Sequence, residues 1–134
     1  MDVREVFEDL FGRVDENVPA VVEGLSAEQL ATAPGPGANP IGWLVWHLTR
    51  VQDAHVTELL GGEQVWTSGP WAARFGLDAD PENSGYGHTP EQVAAVRAES
   101  AEALVGYYEA TRARTTALLA TVTPATLDEV VDRR

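Results

Sequence analysis

The chain has 134 residues, 44% of them apolar and 22% charged, the balance of one globular domain spanning 1–134 with a single core rather than of a disordered tail or of two domains. With 21 acidic residues against 9 basic ones the formal charge is −12, a field that repels phosphate backbones and anionic lipid, so neither a nucleic-acid nor a membrane partner is expected. Cysteine is absent, which excludes disulfides, thiolate zinc sites and a cysteine nucleophile within the chain and leaves any metal to histidine and carboxylate.

The start, MDVREVFEDL, is charged and carries no apolar h-region, and no run approaches the roughly 18 residues of a membrane span. A cytoplasmic protein is expected. Residues 3–25 place Val3, Val6, Phe7, Leu10, Phe11, Val14, Val18, Val21 and Leu25 on the stripe of an amphipathic helix. Asp2 with Glu5 reads as a capping box, and Pro19, which lacks an amide hydrogen, predicts a kink or a division. Ser26 to Gln29 is a second box, opening a short helical turn that ATAPGPGANP stops.

Asn39 and Pro40 predict an N-cap followed by proline at the first position of a second long helix, ended by Gly61 and Gly62. Its apolar stripe reads Ile41, Leu44, Val45, Leu48, Val51, Val56 and Leu59. From Glu63 to His88 the chain is rich in Gly, Pro, Trp and Asp, with one short helix in GPWAARFGL, and a connection of that length is more often functional than idle. Thr89 to Gln92 opens a third long helix predicted to run to about Ala120, and TPATLDEVVDRR begins another turn. No strand pattern appears. Three amphipathic helices predict an all-α, antiparallel bundle, whose usual closed form has four helices, so the fourth helix is expected to be missing or truncated.

His47 and His55 share the second helix but stand eight residues, about 12 Å, apart along its axis, too far to chelate one ion. His47 falls at the edge of the apolar stripe, where a lone histidine is either a hydrogen-bonded packing residue or faces a cleft. His55 lies nearer the stripe and reads as a satisfied core histidine, and His88, just before an N-cap, as a loop histidine. Arg50 and Asp53 read as a salt bridge, Tyr107 and Tyr108 as core, and Trp66 and Trp71 either as the cover of an apolar pocket or as anchors of the long loop. No Gly-rich phosphate loop, HExxH or G-x-S-x-G is present.

The run GLSAEQLATAPGPGANPIGWLVWHLTRVQDAHVTELLGGEQVW, followed by WAARFGL and GYGHTPEQVAAVRAE, resembles the DinB-like superfamily, and most its actinobacterial branch related to mycothiol-dependent maleylpyruvate isomerases. The N-x-I-x-W-x-x-x-H-L pattern from Asn39 to Leu48 carries the likeness. The resemblance implies a four-helix bundle, commonly a homodimer, that holds a divalent metal, zinc or nickel, through one histidine of the second helix and further ligands on the fourth. On this chain His47 matches the second-helix ligand, whereas no residue matches the fourth-helix ligands.

Two functions of different class follow as expectations. One is a metal-dependent S-transferase or isomerase that uses a low-molecular-weight thiol of the mycothiol type and acts on a small-molecule substrate. The other is a non-catalytic small-molecule-binding or stress-response bundle without a competent metal site.

Overall fold

A computed structural model of the chain describes residues 2–129, and among these residues every regular element is helical. The order is α1 (Val3–Val22), α2 (Ala27–Leu30), α3 (Ile41–Leu60), α4 (Val65–Ser68), α5 (Trp71–Arg74), α6 (Pro90–Ala95), α7 (Ala101–Leu119) and α8 (Pro124–Leu127). The capping boxes at Asp2, Ser26 and Thr89 all form, each side chain accepting from the amide three residues on. The turn expected in TPATLDEVVDRR is α8, and residues 130–134 of that stretch lie outside the described residues.

Four local expectations are corrected. Pro19 does not divide α1, which runs unbroken to Val22 and stops short of the predicted Leu25. The N-cap of α3 is Pro40, with no side-chain cap, so Asn39 does not serve as one. The long connection contains a second short helix, α4, beside the one expected at α5. The third long helix is two: Val96 leaves α6 in an extended conformation, and α7 restarts at Ser100, whose hydroxyl accepts from the Ala103 amide. The reason is long-range, since the amides of Arg97 and Glu99 donate to the carbonyls of Phe75 and Arg74, tying this break to the end of α5.

Three long helices make the core. α3 packs chiefly on α7, and α1 packs on both. Asp15 of α1 meets Tyr108 and Arg112 of α7, and the Arg112 guanidinium also stacks over Phe11, an order that descends on one helix as it rises on the other. Between α3 and α7 the order rises on both: Arg50 and Asp53 meet Tyr107, Gln52 meets Thr115, and Arg114 reaches the carbonyls of Gly61 and Glu63. The bundle is therefore antiparallel between α1 and α7 and parallel between α3 and α7. A 20-residue α3 is about 30 Å long, and a parallel neighbour obliges the chain to return that distance. The connection 61–100 is that crossover.

The face of α3 that enters the core coincides only in part with the apolar stripe, sharing Val45 and Val56 with it. Gly42, Trp43, Val45, Trp46, Thr49, Arg50, Asp53 and Val56 are buried, while Leu44 and Leu59 are exposed. Leu48, which also packs against the core, Val51 and Leu59 border an open apolar groove of about 420 Å³, shared with Phe11 of α1 and Leu118 of α7. Aromatic rings fill the space the stripe does not: Trp46, Trp66, Phe75 and Tyr107 are completely buried, with Trp66 5.9 Å from Trp46, 5.7 Å from Phe75 and 5.3 Å from Tyr107 between ring centroids. Trp66 and Trp71 thus act as anchors of the crossover, Trp66 in the core and Trp71 against Tyr107 at 5.9 Å.

Candidate functional site

Burying Arg50 and Asp53 requires that each find partners from the chain, because an unpaired charge in the core costs several kcal/mol, roughly. Arg50 is 0% and Asp53 1% exposed. The guanidinium donates from Nε to the Asn83 carbonyl (2.9 Å), from Nη2 to the Pro81 carbonyl (3.0 Å), and from Nη1 to the Tyr107 hydroxyl (3.2 Å) and Asp53 Oδ2 (3.5 Å). It also lies over the Trp66 ring, 5.2 Å from the centroid. Asp53 accepts at Oδ1 from the Val65 amide (3.0 Å) and at Oδ2 from the Trp66 amide (2.8 Å) and the Tyr107 hydroxyl (2.8 Å). The salt bridge read from the sequence exists, and its purpose is to seat the crossover: Asp53 holds the start of α4 and Arg50 holds residues 81–83.

One turn before Arg50, on the same helix, His47 is half-buried and stacks on Trp43, ring centroids 4.7 Å apart and planes 20° apart. Its Nδ1 lies 2.6 Å from the carbonyl oxygen of Ser84. A carbonyl only accepts, so Nδ1 carries a proton, and in the neutral imidazole the lone pair is then on Nε2. No described residue bonds that Nε2. His88 carries the opposite tautomer. The Trp43 indole, which only donates, gives its Nε1 hydrogen to His88 Nδ1 (3.2 Å), and His88 Nε2 donates to Asn83 Oδ1 (2.7 Å). Burial, and then the neighbouring His47, hold the His88 imidazole below its ordinary pKa range. Both of its nitrogens are occupied, which makes it a structural histidine, as expected.

His55 departs from its expected place. Its side chain is 62% exposed and 3.8 Å from Glu58, at the rim of the apolar groove rather than in the core, because the core of α3 lies on the other face. Among the described residues no three His, Cys, Asp or Glu side chains converge to hold a metal ion. The fit of a divalent metal is thus that of one imidazole, His47, whose far nitrogen is secured by a backbone carbonyl in the manner usual for metal-bound histidine. Sequence reasoning missed Ser84, Asn83 and Gly85 as members of this site: Ser84 acts through a backbone carbonyl, Gly85 through the side chain it lacks, and Asn83 through a carbonyl and an amide oxygen whose partners are fixed only by the fold.

On the opposite flank Asp15 accepts from Tyr108 Oη (2.6 Å) and takes both oxygens to Arg112 Nε (2.9 and 3.0 Å), joining α1 to α7. The Tyr108 phenol is pushed up mainly by burial and further by Asp15, and that of Tyr107 is pushed up mainly by burial, with Arg50 opposing. In the unfolded chain both protons leave near pH 10, roughly, so the stability these phenols confer is whole below that pH and is lost as pH rises above it. In an alkaline titration, Tyr107 and Tyr108 should add no phenolate absorbance until the helical dichroism collapses. Absorbance from more than one tyrosine ahead of that collapse would contradict the assignment.

Residues 10–134 match the family model of the DinB superfamily. The chain belongs to the DinB superfamily. A solved structure described as the conserved protein of locus from Enterococcus faecalis is similar to this DinB superfamily protein with a TM-score of 0.86 and 27% identity. The likeness covers 98% of this chain and 78% of that one. No curated protein matches the chain. Among the described residues of this DinB superfamily protein, no helix is long and apolar enough to cross a membrane.

Proposed function

We propose that this DinB superfamily protein binds a divalent metal, zinc or nickel, through Nε2 of His47 and serves as an S-transferase or isomerase that uses a low-molecular-weight thiol of the mycothiol type. The observation that carries the reading is the 2.6 Å contact of His47 Nδ1 with the Ser84 carbonyl, which leaves the Nε2 lone pair unengaged at a half-buried position. When bound, such an ion lowers the pKa of a coordinated thiol and so supplies a thiolate near neutral pH. The chain's own part is to orient His47, to exclude water from its Trp43 face and to hold the crossover in place through Arg50 and Asp53. No three ligating side chains converge among the described residues, so the proposal includes a homodimer in which a second copy approaches His47 and completes the site.

Elemental analysis of protein purified without a histidine tag tests the reading, with His47→Ala as control. The expected result is near-stoichiometric zinc or nickel that falls at least about tenfold in the variant, the loss usual on removing one ligand or its support. Metal retained by the variant, or absent from both in a protein that also fails to take up added nickel, would overturn it. Uptake then directs thiol binding and transfer assays with small electrophiles.

A second reading, a non-catalytic small-molecule-binding bundle, draws on the apolar groove. Its volume of about 420 Å³ lies within the usual range of ligand pockets, and His47 does not border it. An apolar dye that binds at this groove and is displaced by Leu48→Glu, in protein that takes up no metal, would favour this reading.

A further inference from the structure

His47 presents a lone pair at Nε2 only because something holds the proton at Nδ1. In water a neutral imidazole ordinarily favours the other tautomer, so the arrangement has to be imposed. The agent is residues 81–88 of the crossover. Arg50 anchors this segment from inside the core, through the Pro81 and Asn83 carbonyls, and His88 with Trp43 latches its far end through Asn83 Oδ1. Between the two anchors, the Ser84 carbonyl is delivered to His47.

Close approach at this point depends on Gly85, which is buried and has φ +94°. A methyl group built there would lie 2.8 Å from His47 Nδ1, 2.9 Å from Trp46 Cζ3 and 3.1 Å from Trp43 Cζ2. Both the backbone conformation and the space therefore demand glycine.

We infer that residues 81–88 form a strap that sets the tautomer of His47, with Arg50 and Gly85 as its positioning residues; the inference rests on the reading of His47 as a metal ligand for its use, though not for its test. A lysine at position 50 keeps the charge opposite Asp53 but has no planar fork to reach the Pro81 and Asn83 carbonyls together. An alanine at position 85 leaves the Arg50–Asp53 pair intact and forces the strap away from His47.

The experiment is nitrogen-15 NMR of histidine-labelled protein, free of metal and above neutral pH, where three histidines give a resolvable spectrum. The wild type should show His47 as Nδ1–H and His88 as Nε2–H. In folded Gly85→Ala, and in Arg50→Lys, the Nδ1–H signature of His47 should give way to an averaged or Nε2–H pattern. Nickel affinity should fall by about 10–100-fold, the loss typical of removing a group that orients a ligand. A wild-type His47 with its proton on Nε2, or an unchanged Nδ1–H in folded Gly85→Ala, would overturn the inference. Should Arg50→Lys fail to fold, Gly85→Ala decides alone. If the tautomers respond as expected in a protein that binds no nickel, the strap stands and the metal reading falls.

Discussion

Asp53→Asn should lower the stability of the folded chain by about 3–5 kcal/mol, which at this chain length corresponds to a fall in Tm of more than about 10 °C. The substitution keeps volume and shape, so packing is not what it removes. It leaves the fully buried Arg50 guanidinium without its countercharge, and it sets an amide NH2 against donors, because Val65 N–H, Trp66 N–H and the Tyr107 hydroxyl all point at the carboxylate. Arg50 keeps its bonds to the Pro81 and Asn83 carbonyls, but neutral acceptors do not balance a desolvated charge. A double-mutant cycle with Arg50→Met makes the cause explicit: the cost of Asp53→Asn should shrink by more than about 1 kcal/mol once the guanidinium is gone. Denaturant unfolding measures all three proteins, and strict additivity would show that the pair is not the origin of the loss.

Trp66→Ala should cost a comparable amount, about 3–5 kcal/mol, by opening a cavity at the point where four groups converge. The indole is completely buried against Trp46, Phe75 and Tyr107, and Arg50 lies over its face. Removing it withdraws the only side chain of α4 that touches all of these, so the crossover loses its seat in the core while its amide bond to Asp53 remains. Trp66→Phe should be far milder, because the indole Nε1 has no hydrogen-bond partner and its loss leaves nothing unpaired. Equal losses for Phe and Ala in chemical denaturation would mean that the aromatic packing is not what holds the crossover.

What could be read in the sequence was what is local. The boxes at Asp2, Ser26 and Thr89 are closed by residues three positions away, and they form as written. The N-x-I-x-W-x-x-x-H-L pattern brought the family and His47 into view. The buried face of α3 departs from its apolar periodicity for a physical reason: periodicity weighs Leu44, Leu48, Val51 and Leu59 above Arg50 and Asp53, yet a charge pair satisfied by two distant carbonyls, two amides and a phenol is buried as completely as any leucine. Such partners, thirty or more residues away in part, cannot be seen in a periodic pattern. The spacing Trp46, Arg50, Asp53 does place all three on one face, and that alignment was the available signal.

The break between α6 and α7 was hidden in the same way. The stretch VAAVRAESAEAL holds no Gly or Pro, its one local signal being the N-cap at Ser100, and the chain leaves the helix where the Arg97 and Glu99 amides donate to the carbonyls of Phe75 and Arg74 at the end of α5. The site shows the same limit: Ser84 acts through a carbonyl and Gly85 through the side chain it lacks, so neither could be named from composition or spacing.

The stack of Trp43 on His47 gives the molecule an optical property of its own. Indole emission is quenched by a protonated imidazole in van der Waals contact and by an open-shell transition ion close by; Trp43 is so placed on His47, and Trp46 stacks on His88. The other indoles lie in a connected series of rings: Trp43 is 6.4 Å from Trp46, Trp46 is 5.9 Å from Trp66, and Tyr107 bridges Trp66 to Trp71. Excitation absorbed anywhere in that series can migrate toward Trp43. The brightness of the whole protein therefore registers what happens at His47 and its neighbour His88, without any attached dye.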